Sequence, residues 1–174
     1  MSKSAIDLTT HSIEDTQALG EQLGRLLNAG DVVAFSGELG SGKTTFIQGL
    51  ARGLGRDSGT IKSPTFVLMR EYPGATPLVH IDGYRLEGAA AVSWLDMDLL
   101  FSPRKITVIE WADRFVGLLP SEYVEVRLSH VSTNRRRVQI VPVGAHAQEI
   151  VTQLRNASQS PPSSTEVADA ASRD

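Results

Sequence analysis

Cysteine is absent from the 174 residues, which excludes a disulfide framework, thiolate catalysis and thiolate-ligated metal, and which fits a reducing compartment. There is no excess of basic residues either. The formal net charge of −3 excludes a protein whose main affinity comes from wrapping nucleic acid, although local basic patches remain open. No apolar run approaches the length needed to cross a bilayer, and the opening MSKSAIDLTTHSIEDT lacks the apolar segment of a secretory signal, so the cytoplasm is the expected location. Internal repeats are also missing. What is present is ordinary for a globular chain, 41% hydrophobic and 21% charged, and its length suits one domain with a proper core.

The division expected is a folded domain over residues 1–155 and a tail over 156–174. The tail, NASQSPPSSTEVADAASRD, holds one bulky aliphatic, Val167, and cannot bury enough apolar area to offset its ordering entropy. It is read as disordered, so its deletion should cost little. Ahead of it, Ser12 with Asp15 three residues on resembles a capped helix start, and Leu19, Leu23, Leu26 and Leu27 follow at helical spacing until Asn28-Ala29-Gly30. Residues 31–36 (DVVAFS) form a buried-strand run, and residues 44–54 read as a helix closed by Gly55. Further strands are expected over 66–71, 78–82 and 106–110, with a helix over 89–101. Residues 123–128 and 137–141 alternate apolar and polar side chains and predict a hairpin with one wet face. Strands alternating with helices, then an antiparallel pair, give a three-layer α/β domain with a mixed sheet.

Between that first buried strand and its helix lies FSGELGSGKTTF, in which Gly37-Glu38-Leu39-Gly40-Ser41-Gly42-Lys43-Thr44 has the spacing of a phosphate-binding loop. Glycine costs about 0.5–1 kcal/mol inside an element, so clustering it needs a return. Here Gly37, Gly40 and Gly42 let successive N–H groups point inward as an anion nest, with the positive end of the helix dipole beside it. Lys43 would reach the β- and γ-phosphates of a nucleoside triphosphate and the Thr44 hydroxyl would take Mg²⁺, with Thr45 near the phosphates.

Such a loop hydrolyses nothing alone; the metal needs a carboxylate and the attacking water needs a group to orient it. Asp82 and Glu110 each end a predicted strand, where ligands of open α/β sheets gather, although either could merely start a loop or cap a helix. Thr65 is a third candidate: Pro64 stiffens the turn that presents it, against the alternative of an ordinary turn. His11 and His80 lack metal-ligand spacing and read as structural. Arg135, Arg136 and Arg137 sit at the hairpin turn, either solvated or contacting phosphate or a partner. Trp94 and Trp111 read as packing anchors, with Trp111 brought near the nucleotide by its place after Glu110.

In this order the glycine loop, Ser63-Pro64-Thr65-Phe66, His80-Ile81-Asp82-Gly83-Tyr84-Arg85-Leu86 and Ile109-Glu110-Trp111 resemble the TsaE (YjeE) family, the ATPase of bacterial tRNA threonylcarbamoyladenosine (t6A) synthesis. The resemblance runs from about Thr16 to Val141. It implies a P-loop NTPase-like domain with a mixed, mostly parallel sheet, and a slow Mg²⁺-dependent ATPase. That ATPase would work with TsaB and TsaD on adenosine 37 of tRNAs that read ANN codons. By the same resemblance Thr44 and Glu110 hold Mg²⁺, and Lys43, Asp82 and Thr65 act in catalysis, Asp82 on water or nucleotide and Thr65 in a switch-like segment. His11 and the start of the first helix, as far as Thr16, lie on the adenine side, and one of the arginines at 135–137, Arg136 for preference, approaches nucleotide or a partner. Two stretches depart from the family pattern: Gly83, where an apolar residue is usual, and the alanine-rich residues 87–91.

Two other classes fit a phosphate loop. A small-molecule kinase would pass the γ-phosphoryl to an acceptor, with the arginines at 135–137 as a lid. A GTPase-type switch generally reads guanine with Asn-Lys-x-Asp, yet Asn28, Asn134 and Asn156 are not followed by lysine.

Overall fold

Apolar runs buried on both faces set the layers. A computed structural model describes residues 5–64, 68–84, 96–115 and 117–159. In chain order these form β1 (Ile6–Thr10), α1 (Ile13–Leu26), β2 (Val32–Ser36), α2 (Lys43–Gly53), β3 (Met69–Tyr72), β4 (Leu78–Asp82), α3 (Met97–Leu100), β5 (Ile106–Glu110), β6 (Tyr123–His130), β7 (Arg136–Val143) and α4 (Ala145–Gln159). The sheet order is β1-β7-β6-β2-β5-β4-β3. At its centre β6, β2, β5 and β4 are parallel, β7 and β3 run against them, and β1 runs against β7. Five of the seven strands therefore share one direction, the mixed and mostly parallel sheet expected, with the β6–β7 hairpin in place.

On one face Val33, Phe35, Val108, Val126 and Ile140 meet Leu23, Phe46, Leu50, Val151 and Leu154 of α1, α2 and α4. On the other, Val32, Ala34, Ile81 and Ile109 meet Leu100 and Phe115. Each of these Val, Leu, Ile and Phe side chains contributes about 1.5–3 kcal/mol on removal from water.

Two elements were not expected. β1 is too short, and too polar at Asp7, Thr9 and Thr10, to announce itself; it is held by register (Ile6 with Ile140, Leu8 with Val138) and by Arg137, whose guanidinium donates to Asp7 at 2.6 and 3.0 Å. α4 was legible in principle, since Ala147, Ile150, Val151 and Leu154 are its buried stripe at helical spacing. It runs to Gln159, so four residues of the expected tail are helical, and residues 160–174 lie outside those described. Of the strand expected over 66–71 the described part is β3, and of the helix over 89–101 it is α3; residues 65–67 and 85–95 are likewise outside.

α1 begins as its cap requires. Ser12 Oγ accepts from Asp15 N at 3.0 Å, and Asp15 Oδ2 accepts from His11 N at 3.0 Å. Its axis is then set by glycine. Gly20 and Gly24 on α1, and Gly49 and Gly53 on α2, each lie against the other helix's backbone so closely that a Cβ would collide with the carbonyl oxygens of Phe46, Leu50, Gln17 and Glu21 in turn. Residues four apart share a helix face, so the two helices run parallel in backbone contact. The start of α1 is thereby delivered beside the start of α2.

Because backbone atoms cannot yield as a side chain can, Gly24→Ala or Gly49→Ala should cost about 1–3 kcal/mol or more. Urea unfolding monitored by circular dichroism measures this, and an unchanged midpoint would show that the contact is not as close as described.

Candidate functional site: the loop between β2 and α2

β2 delivers the chain to Gly37, whose φ of 148° no bulkier residue adopts easily and whose Cβ would collide with Leu128 O. The loop closes on itself through Ser41 N to Glu38 O at 3.0 Å, and Gly42, at φ 102°, starts α2. Inside it Lys43, a residue only 5% exposed, donates from its ammonium to Gly37 O at 2.6 Å, Glu38 O at 2.9 Å and Ser41 Oγ at 3.4 Å. It also lies 4.2 Å from the centroid of the Trp111 ring. Burial pushes the Lys43 pKa below its ordinary value, while the charges of Glu110, Asp82 and Asp113 pull the other way.

Glu110 ends β5 and Asp82 ends β4, in register with each other. Alternation puts both on the face where Val108 and Leu78 meet the helices. Glu110 Oε1 accepts from Thr44 Oγ1 at 2.8 Å and lies 3.1 Å from His80 Nε2. Asp82 is held by Ser63 Oγ on Oδ2 at 2.6 Å and by Tyr84 N on Oδ1 at 2.8 Å. Just beyond Glu110, Trp111 adopts φ 56°, a left-handed conformation costing roughly 1–3 kcal/mol in a non-glycine residue. That turn carries its ring to Lys43 and to Tyr84, at 5.0 Å between centroids. Gly83 is now explained: a Cβ there would sit 2.7 Å from the Phe115 ring and 3.0 Å from Trp111 O.

These groups open on one cavity of about 430 Å³, a size that suits a nucleotide. At one end are the loop, Lys43, Thr44, Asp82 and Glu110. Elsewhere the wall is formed by Ser12, Ile13 and Thr16 from α1 and by Thr133, Asn134 and Arg136 from the hairpin. Of the residues expected at the site, Leu39, Gly40, Gly42, Lys43, Thr44, Thr45, Asp82, Glu110, Trp111 and Arg136 line it. Gly37, Glu38 and Ser41 form the back of the loop through Lys43.

His11 does not line the cavity; it is exposed, and its neighbours Ser12 and Ile13 take the place expected of it. Among the arginines, Arg137 is engaged by Asp7, whereas Arg136 lines the cavity and also clasps the hairpin tip, donating to Ser132 O at 2.8 Å and Arg135 O at 2.9 Å. Thr65 lies outside the described residues. Ser63, Tyr84, Thr133 and Asn134 were not among the expected ligands. Nor was His80, though it stands two residues before Asp82 on the same strand face.

The donor set suits a hard divalent cation with a polyphosphate: a hydroxyl and a carboxylate 2.8 Å apart, a second carboxylate close by, and a buried ammonium.

A family model described as threonylcarbamoyl adenosine biosynthesis protein TsaE matches residues 10–138. The tRNA threonylcarbamoyladenosine biosynthesis protein TsaE of Streptomyces coelicolor is 44% identical over 114 residues, covering 63% of this chain and 76% of its own. Its counterpart from a Nostoc species is 38% identical over 143 residues, 79% and 86% of the two chains. The Bacillus subtilis protein of that name is 32% identical over 142 residues, 81% and 88%. The crystal structure of Bacillus subtilis YdiB superposes with a TM-score of 0.74 at 28% identity, over 88% of this chain and 96% of that one.

The lowered Lys43 pKa fixes a pH dependence. The ammonium disfavours the free fold at neutral pH, and that penalty is relieved as pH rises from the lowered folded value towards the ordinary 10.5. Affinity for a polyphosphate held by this ammonium would run the other way, present while Lys43 is charged and lost as pH passes the lowered value. Titrations of ATP from neutral to alkaline pH should show affinity falling earlier than an ordinary lysine would allow, with Lys43→Arg moving the fall to higher pH. Coincident curves for the two proteins would contradict this.

Proposed function

Because the chain belongs to the TsaE family, we propose that it is the ATP-binding and ATP-hydrolysing subunit of tRNA threonylcarbamoyladenosine synthesis, acting in the cytoplasm with TsaB and TsaD. The observation that carries the ATPase part is the Thr44–Glu110 pair at 2.8 Å, facing Lys43 and Asp82 across one cavity.

In this reading the main-chain N–H groups of residues 37–42 bind phosphate oxygens. Lys43 exchanges the carbonyls of Gly37 and Glu38 for the β- and γ-phosphates, a short swing from a desolvated pocket to a stronger partner. Thr44 and Glu110 hold Mg²⁺, which when bound neutralises charge on the transferring phosphoryl group. Asp82 is fixed on both oxygens by Ser63 and Tyr84 N, which suits a carboxylate that orients the attacking water. Thr65, two residues beyond Ser63, belongs to the segment that senses the γ-phosphate. Ser12, Ile13 and Thr16 take the adenine side, and Arg136 the sugar or phosphates. Transfer of the phosphoryl group to water, rather than to a metabolite, separates this from a kinase using the same loop, and tRNA is reached through the complex.

Lys43→Ala should lower kcat/KM for ATP on the order of 100-fold or more, and Glu110→Ala should raise the Mg²⁺ requirement. Asp82→Ala should lower kcat with little change in ATP affinity; equal losses in both would make Asp82 a ground-state contact. Label from the γ-phosphate should appear as free phosphate, and its appearance on an added metabolite would favour the kinase. Mixing with TsaB and TsaD should give association and ATP-dependent tRNA modification, and the absence of both would remove the pathway assignment.

A further inference from the structure

His80 sits at the middle of β4, fully buried, in a strand otherwise apolar until Asp82. A buried imidazole is costly without a hydrogen bond, so its place there calls for a return. In register it lies opposite Val108, and its ring reaches diagonally to the next residue on that face of β5, Glu110, at 3.1 Å from Oε1. The facing atom is a carboxylate oxygen, which accepts, so the shared proton is on Nε2. The other nitrogen, Nδ1, is buried without a hydrogen-bond partner. Among the described residues, the one hydrogen bond the ring makes is the one to Glu110.

Resting on the assignment of Glu110 to the metal, we propose that His80 is a positioning residue for that carboxylate. Its Nε2–H and the Thr44 hydroxyl both donate to Oε1, and Oε2 receives neither bond, which fixes the rotation of the carboxylate plane and leaves Oε2 as the oxygen offered to the cation. Thr44 is itself assigned to the metal, so its oxygen would take a second partner when the cation binds, and its hold on Glu110 varies with the state of the site. The hold of His80 does not. It comes from the sheet, from a residue that touches neither nucleotide nor metal, and it pre-orders the ligand before either arrives.

The test measures Mn²⁺ binding to the protein–ADP complex by electron paramagnetic resonance, and ADP binding by calorimetry in the presence of a chelator. His80→Leu should weaken Mn²⁺ binding 10- to 100-fold and leave metal-free ADP affinity within about 2-fold. His80→Gln, whose amide nitrogen can stand near the place of Nε2, should recover most of the loss, and the shorter His80→Asn should not. Unchanged Mn²⁺ affinity in His80→Leu, or equal losses in the Gln and Asn variants, would overturn the proposal; that pair decides it alone if the leucine variant does not fold. Glu110→Gln separates the underlying assignment. If it leaves Mn²⁺ binding intact, Glu110 is not a ligand and both readings fall, whereas loss in Glu110→Gln beside unchanged His80→Leu removes only the role of His80.

Discussion

Parallel pairing of β2, β5 and β4 is the constraint from which the site follows. Phe35, one residue short of the end of β2, is in register with Glu110, and Glu110 with Asp82, so the carboxyl ends of three strands reach the same edge of the sheet with these three side chains on one face. The glycine loop leaves β2 at that edge. A slip of one residue would send both carboxylates to the opposite face, away from Lys43 and Thr44. The apolar alternation that buries Val33, Phe35 and Val108 under α2 therefore also fixes the polar geometry, and one pattern of burial serves stability and chemistry together.

Close approach is the second theme. α1 meets α2 backbone to backbone through Gly20, Gly24, Gly49 and Gly53, which brings Ser12, Ile13 and Thr16 to the cavity that the loop opens. Gly83 allows the chain after Asp82 to pass under Phe115, and the left-handed turn at Trp111 lays an aromatic face against the lysine. Each of these places is tight because the elements that carry functional groups must converge on a volume of about 430 Å³.

What the sequence disclosed follows the range of the interactions. The loop, β2, α2, β4, β5 and the hairpin announce themselves in local order: a glycine spacing, an apolar run, an alternation. Asp82 and Glu110 could be nominated because each ends such a run. β1 depends on a partner strand some 130 residues away, and nothing in Ile6-Asp7-Leu8-Thr9-Thr10 alone outweighs its polar half. The helix–helix glycines look like four unrelated helix weaknesses until the two helices are seen side by side. The resemblance puts the stretch from His11 to Thr16 on the adenine side; of it Ser12, Ile13 and Thr16 line the cavity, while His11, just outside the cap, is exposed. The pairing of His80 with Glu110 lies across two strands, and only their register reveals it.

If the edge formed by β2, β5 and β4 is a seat for a metal–nucleotide complex, diffraction from crystals grown with Mn²⁺ and a non-hydrolysable ATP analogue tests it most directly. The account predicts one anomalous peak between Thr44 Oγ1 and the Glu110 carboxylate, with the triphosphate wrapped by residues 37–42 and the Lys43 ammonium turned from the loop carbonyls to the phosphates. A peak elsewhere, or the analogue bound outside this cavity with Lys43 still on Gly37 and Glu38, would contradict it.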